Sequence, residues 1–115
     1  MVVPKLPESV HSVLGPVTVR VVSRKLLPKD GRLGDYCPKQ REIRLDESIS
    51  LRTQWQILYH EWTHMVLYDS GLHEVVPEEN HEAICEVFGT ARAFEALVDT
   101  WQTPSASPDP EQPLT

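Results

Sequence analysis

Residues 58–69 read LYHEWTHMVLYD, and the spacing inside them decides how the chain folds. At about 100° per residue, Trp55, Leu58, Trp62, Met65 and Val66 gather on one side of a helix. His60 and His64 project from the opposite side, together with Thr53, Ile57, Leu67 and Tyr68. Both sides are apolar enough to be buried, so the imidazoles do not belong to an ordinary solvated face. Polar groups in such surroundings are costly unless something pairs with them. The helix is expected to begin near SISLRT, with Ser50 or Thr53 as its cap. It should stop at Ser70 and Gly71, where glycine supplies the left-handed terminus.

Downstream, PEEN opens a second helix, with Pro77 at its first position and Glu78 and Glu79 matched to the positive end of the helix dipole. It should run to about Trp101. Arg92, Glu95, Asp99 and Gln102 mark its solvent arc, and Glu82 and Glu86 fall roughly opposite, among Gly89, Ala93 and Leu97. Two carboxylates are therefore expected to point inward. Gly89 costs about 1 kcal/mol relative to alanine in a helix interior, which predicts that another backbone, the first helix, comes close there.

Upstream, VTVRVV at 17–22 is β-branched and follows the breaker Gly15-Pro16, so a strand is expected. REIRLDE at 41–47 alternates Ile43 and Leu45 with charged residues, the pattern of a half-solvated or edge strand. LGDYC could pair with it as a hairpin through PKQR. Between the first strand and this hairpin, RKLLPKDGRLG reads as loop. The fold class is thus α+β: a small, twisted, mostly antiparallel sheet packed on two main helices. One domain is expected over residues 1–102. Residues 103–115, with prolines at 104, 108, 110 and 113 and almost nothing apolar, read as a disordered Pro-rich tail.

Composition narrows the functions. The chain has 115 residues, room for one modest core and one site. Its net charge of −6 and the lack of a dense Lys/Arg cluster argue against nucleic acid as a partner. Neither a signal peptide nor an apolar run of about 18 residues is evident, so no membrane is expected and the protein reads as cytoplasmic. Cys37 and Cys85 are not in CxxC spacing and are expected as free thiols, one in a loop and one on a helix.

His60 and His64, at i and i+4, lie one turn apart and can converge on a single Zn²⁺. Glu61 sits beside them, rotated off the ligand axis, where a carboxylate can hold a water at the metal without becoming a ligand. A third ligand of carboxylate type is available from the inward face of the second helix. Glu82 is the choice, with Glu86 or His81 as alternatives should the helix phase differ by a residue.

HEWTH followed by HEAICE, in which Glu82 and Glu86 are spaced ExxxE, resembles the gluzincin clan of zinc metallopeptidases. In size and order of elements the chain is similar to the minimal single-domain members, the minigluzincins, and to phage and mobile-element relatives of the ImmA/IrrE type. The resemblance implies a zincin-like fold with one zinc per chain bound by His60, His64 and Glu82. It implies Glu61 as the catalytic base and Glu86 as the carboxylate that orients a ligand imidazole. It also likens REIRLDE to the clan's substrate-aligning edge strand. Neither a helix-turn-helix nor a downstream domain that could supply an oxyanion donor is expected from these residues, and Tyr68, His73 and Tyr36 are the candidates for that role.

Two functions follow as expectations. One is a zinc-dependent metallopeptidase acting on a peptide or protein substrate, in which Glu61 takes a proton from the attacking water and delivers it to the leaving amine. The other is a non-catalytic module, stapled by zinc, that holds a partner segment by strand addition. A pure staple has no need of Glu61.

Overall fold

The structure is a computed structural model describing residues 2–102, with side chains to residue 98; the expected tail, 103–115, lies outside the described residues. The chain forms strands β1 (Ser9–Ser12), β2 (Gly15–Val22), β3 (Gly34–Cys37) and β4 (Glu42–Asp46). Helices α1 (Leu51–Asp69) and α2 (Glu78–Gln102) follow, and short 3-10 turns cover Arg24–Leu26 and Leu72–Glu74. The strand order is β1-β2-β4-β3, with β2 and β4 parallel and the two outer pairs antiparallel. This is the α+β arrangement that the sequence suggests, with most pairings antiparallel.

The short strand β1 was not evident in the sequence. Four residues, SVHS, contribute a single buried side chain, Val10, which pairs in register with the fully buried Val17. A second difference concerns REIRLDE. It forms β4, which is interior to the sheet, hydrogen-bonded to β2 on one side and β3 on the other. The edge strand beside α1 is β3 instead. The charged face of β4 is paired across strands: Arg44 Nε donates to Asp35 at 2.9 Å, and Arg20 meets Glu42 at 3.2 Å. The alternation marked a face of the sheet rather than its edge.

The inner face delivers Val17, Ile43 and Leu45, each fully buried, to Trp55, Leu58, Tyr59 and Met65 of α1, with Ala93 and Leu97 of α2 completing the core. Ser50 caps α1, its hydroxyl accepting from the Thr53 N–H at 3.2 Å, and Gly71 at φ 80° supplies the left-handed exit. Gly89 is where the helices meet. A Cβ there would lie 2.7 Å from His60 Cα and 2.8 Å from the Tyr59 carbonyl oxygen. No helix among the described residues is long and apolar enough to cross a membrane.

Candidate metal centre

Because Gly89 fits against the backbone of His60, the two turns of α2 that precede it run alongside the imidazoles of α1. Glu86 is three residues before the contact and Glu82 seven, so both carboxylates arrive on the same stripe. Glu82 Oε1 lies 2.8 Å from His64 Nε2, and its Oε2 lies 3.2 Å from His60 Nε2. One ligand atom from each of His60, His64 and Glu82 falls within 4.8 Å of the others. These three can hold a metal ion.

The second ring nitrogen of His60 is also occupied, with Nδ1 3.2 Å from Glu86 Oε2. When Nδ1–H donates to Glu86, Nε2 presents a lone pair to the Glu82 carboxylate, and two acceptors then face each other. Such an arrangement is relieved either by a proton on each nitrogen or by a cation between them. Two imidazoles and a carboxylate suit zinc as a donor set. His81 is turned elsewhere, its Nε2 2.8 Å from the Val76 carbonyl oxygen, which leaves Glu82 as the carboxylate that bridges both imidazoles.

Glu82 and Glu86 are less enclosed than the helical wheel suggests, their side chains remaining 74 % and 71 % exposed. The stripe that is buried at Gly89, Ala93 and Leu97 opens, at this end of α2, into a cavity of 640 Å³. Glu61 lines that cavity with His60 and His64. Burial first, then the charges of Glu82 and Asp35, push its carboxyl up to about 8, with Arg32 opposing. Burial lowers the affinity of His64 for a proton, outweighing the pull of Glu82. Glu82 behaves oppositely. Burial raises it, but the hydrogen bond to His64 and the nearby imidazoles win and hold it below the usual carboxylate range.

Of the side chains considered as oxyanion donors, Tyr36 lines the cavity. It projects from the edge strand β3 and stacks on His64 with centroids 5.3 Å apart and planes at 6°. Burial, then the Glu61 charge, raise its phenol, keeping it protonated and able to donate. Tyr68 and His73 stack on each other at 4.8 Å and do not line the cavity.

Asp30 and Arg32 also line the cavity, with Arg32 Nη2 2.6 Å from Asp30 Oδ2. The sequence places them in the loop that precedes the hairpin, and their local spacing carries no signal of a site. Cys85, buried one turn past Glu82, has its thiol pushed up to about 12 by burial and by the charges of Glu82 and Glu61. It is therefore a neutral filler under the site. Cys37 ends β3 rather than lying in a loop, and both thiols are free. A separate apolar groove of 650 Å³, between the N-terminal segment and Val19, Val21 and Leu51, holds none of these groups. Comparison with protein-family models, with curated proteins and with solved structures gives no match.

Proposed function

We propose that the chain is a zinc-dependent metallopeptidase, hydrolysing peptide bonds in a peptide or protein substrate. The observation that carries this reading is the convergence of His60, His64 and Glu82 on one point, with the Glu61 carboxyl in the same cavity. His60 and His64 would hold one zinc by their Nε2 atoms and Glu82 by its carboxylate. Bound there, zinc supplies Lewis acidity toward a carbonyl oxygen and toward water. Glu61 then accepts the proton of the attacking water and returns it to the departing amine, and a cation beside it lowers its pKa from the value that burial imposes. Glu86 orients the His60 ring through Nδ1. The Tyr36 phenol donates to the oxygen that becomes negative as the carbonyl is attacked.

A non-catalytic reading shares the metal and the edge of β3 and differs in having no use for Glu61. Metal analysis of the purified chain, with a proteolysis assay on unfolded and native proteins, separates them. One equivalent of zinc with chelator-sensitive cleavage supports the peptidase. Zinc without cleavage, in a protein that captures extended peptides, favours the module, and absence of zinc in carefully prepared protein overturns both. The free thiols of Cys37 and Cys85 accord with a cytoplasmic location.

A further inference from the structure

Helix α2 packs extensively against one element, α1, and uses Gly89, Ala93 and Leu97 to do so. Half a turn round, the same helix carries Ile84, Val87, Phe88, Ala91, Phe94 and Val98, spaced three and four apart as on a helix-pairing seam. Val87 is 63 % exposed, Phe88 61 % and Phe94 57 %. The helical wheel placed polar residues on this side. In the structure Arg92 is drawn round to lie over the Tyr59 ring, 4.7 Å from its centroid, and Glu95, which falls between Ile84 and Phe88 on the wheel, lies 3.6 Å from Arg92.

We propose that this stripe is the contact between two copies of the chain, whose α2 helices cross antiparallel about a two-fold axis at Ala91. The order of side-chain sizes supports a second copy over other occupants. A two-fold contact must match itself, each patch meeting its own image. Ala91, the small residue, lies midway between Phe88 and Phe94 and midway between Ile84 and Val98. An axis there sets Phe88 of one protomer against Phe94 of its partner and Ile84 against Val98, with the alanines allowing the backbones to approach. The larger side chains thus meet apolar partners, Val87 comes opposite Glu95, whose carboxylate keeps its contact with Arg92 of its own helix at 3.6 Å, and no like charges are brought face to face despite the chain's net charge of −6.

Area agrees with a modest dimer. A phenylalanine side chain offers roughly 200 Å². At the exposures above, Val87, Phe88 and Phe94 contribute about 330 Å² per copy, or about 660 Å² in all, and Ala91 with the partly exposed Ile84 and Val98 brings the pair close to but not above the roughly 1,000 Å² of a specific interface, which makes the dimer a weak one. The other occupants fit less well. Glu78, Glu79, Glu82 and Glu86 on the same helix oppose an anionic membrane surface. Residues 103–115 offer one large aliphatic side chain, Leu114, against a stripe bearing two phenylalanines. The metal centre lies on the other side of α2, so pairing leaves it open and the proposal stands whether or not the chain is a peptidase.

Sedimentation equilibrium of the full chain from about 1 to 500 µM should show the mass doubling within the range expected for so small an interface. Phe88→Glu should weaken association by about 100-fold or more, since each dimer loses two aromatic anchors. Far-UV circular dichroism and Tm should stay near wild type, because Phe88 is largely exposed in the monomer. In a Cys37→Ser background, Ala91→Cys should form an intermolecular disulfide under mild oxidation, because only a residue on the axis faces its own image. Val98→Cys should not link to itself but should link to Ile84→Cys on mixing. A chain that is monomeric throughout the range overturns the proposal. So does a dimer indifferent to Phe88→Glu, or one in which Val98→Cys links to itself as readily as Ala91→Cys.

Discussion

Replacing Gly89 with alanine sets two effects against each other at the point where α2 meets α1. On helix propensity alone, removing a glycine from a helix interior gains about 1 kcal/mol. Against this, the new Cβ would stand 2.7 Å from His60 Cα, 2.8 Å from His60 N and 2.8 Å from Tyr59 O. All three are backbone atoms, so no side-chain rotation relieves them. Bringing the carbon–carbon contact to about 3.5 Å requires the helices to part by roughly 0.8 Å, which loosens Ala93 and Leu97 as well. Overpacking of this kind costs about 1–3 kcal/mol, and with backbone on the receiving side the upper half applies. The net expectation is a loss of about 1–2 kcal/mol, or a Tm lower by roughly 5–10 °C for a domain this size. Because the contact falls on His60, parting the helices also draws Glu82 and Glu86 away from the imidazoles, and zinc affinity should fall by about 10-fold or more. Thermal unfolding in chelator and in zinc, with a competition titration for affinity, measures both effects. A Tm that rises in chelator would refute the close approach of the helices. A lowered Tm with zinc affinity unchanged would show that this contact does not set the site.

Three further outcomes follow from the same geometry. Glu61→Gln should keep zinc and Tm near wild type while peptide cleavage falls by about 100-fold or more, and cleavage at the wild-type rate would end the peptidase reading. Glu82→Ala should lose zinc by elemental analysis, whereas Glu86→Gln should bind it with affinity reduced by about 10- to 100-fold; the reverse order would move the third ligand to Glu86. Burial pulls the Asp69 carboxyl up, but the 2.6 Å contact from Arg41 helps to outweigh it and the folded-state pKa is depressed. Its contribution is therefore present above the unfolded pKa and lost as pH falls below about 4. Asp69→Asn should cost about 2 kcal/mol at pH 7 and lose less than wild type on acidification, as read from urea midpoints; equal acid losses would refute the assignment.

Local signals carried the helices. Ser50, Gly71 and the imidazole spacing each act within a few residues, so α1 could be bounded and its imidazole pair found without knowing what packs on it. Gly89 extended that reach, because a glycine inside a helix implies a neighbouring backbone, and the neighbour proved to be His60 itself. Pairing across the sheet was less legible. The charges of β4 look like an edge until Asp35 and Arg20 are seen beside them, and those partners come from β3 and β2. Arg32 reaches the cavity only through the fold, so its place in the sequence carries no sign of it. Exposure at Val87, Phe88 and Phe94 escaped because a wheel ranks faces by polarity and cannot say that both sides of α2 are apolar for different reasons.

The two helices are not held alike, and this bears on what the metal would do. Helix α1 is tied down along its length: Gln54 Nε2 donates to the Asp46 carbonyl at 3.0 Å, and the Trp55 and Trp62 indoles donate to the Pro4 and His11 carbonyls at 2.8 Å. At its far end Asp69 accepts from Arg41. His60 and His64 therefore stand on a fixed platform, two donors in set positions. Helix α2 leans on α1 through one stripe, and its first turns carry the third donor on a side chain that is mostly in solvent. A cation at the three ligands would join the fixed element to the one-sided one, so its binding energy acts as folding energy for the start of α2. Self-association through the apolar stripe would brace the same helix from the opposite side, farther along. A cation at the three side chains and a second copy on the stripe would thus stabilise one element, α2, which the monomer without metal secures along a single face.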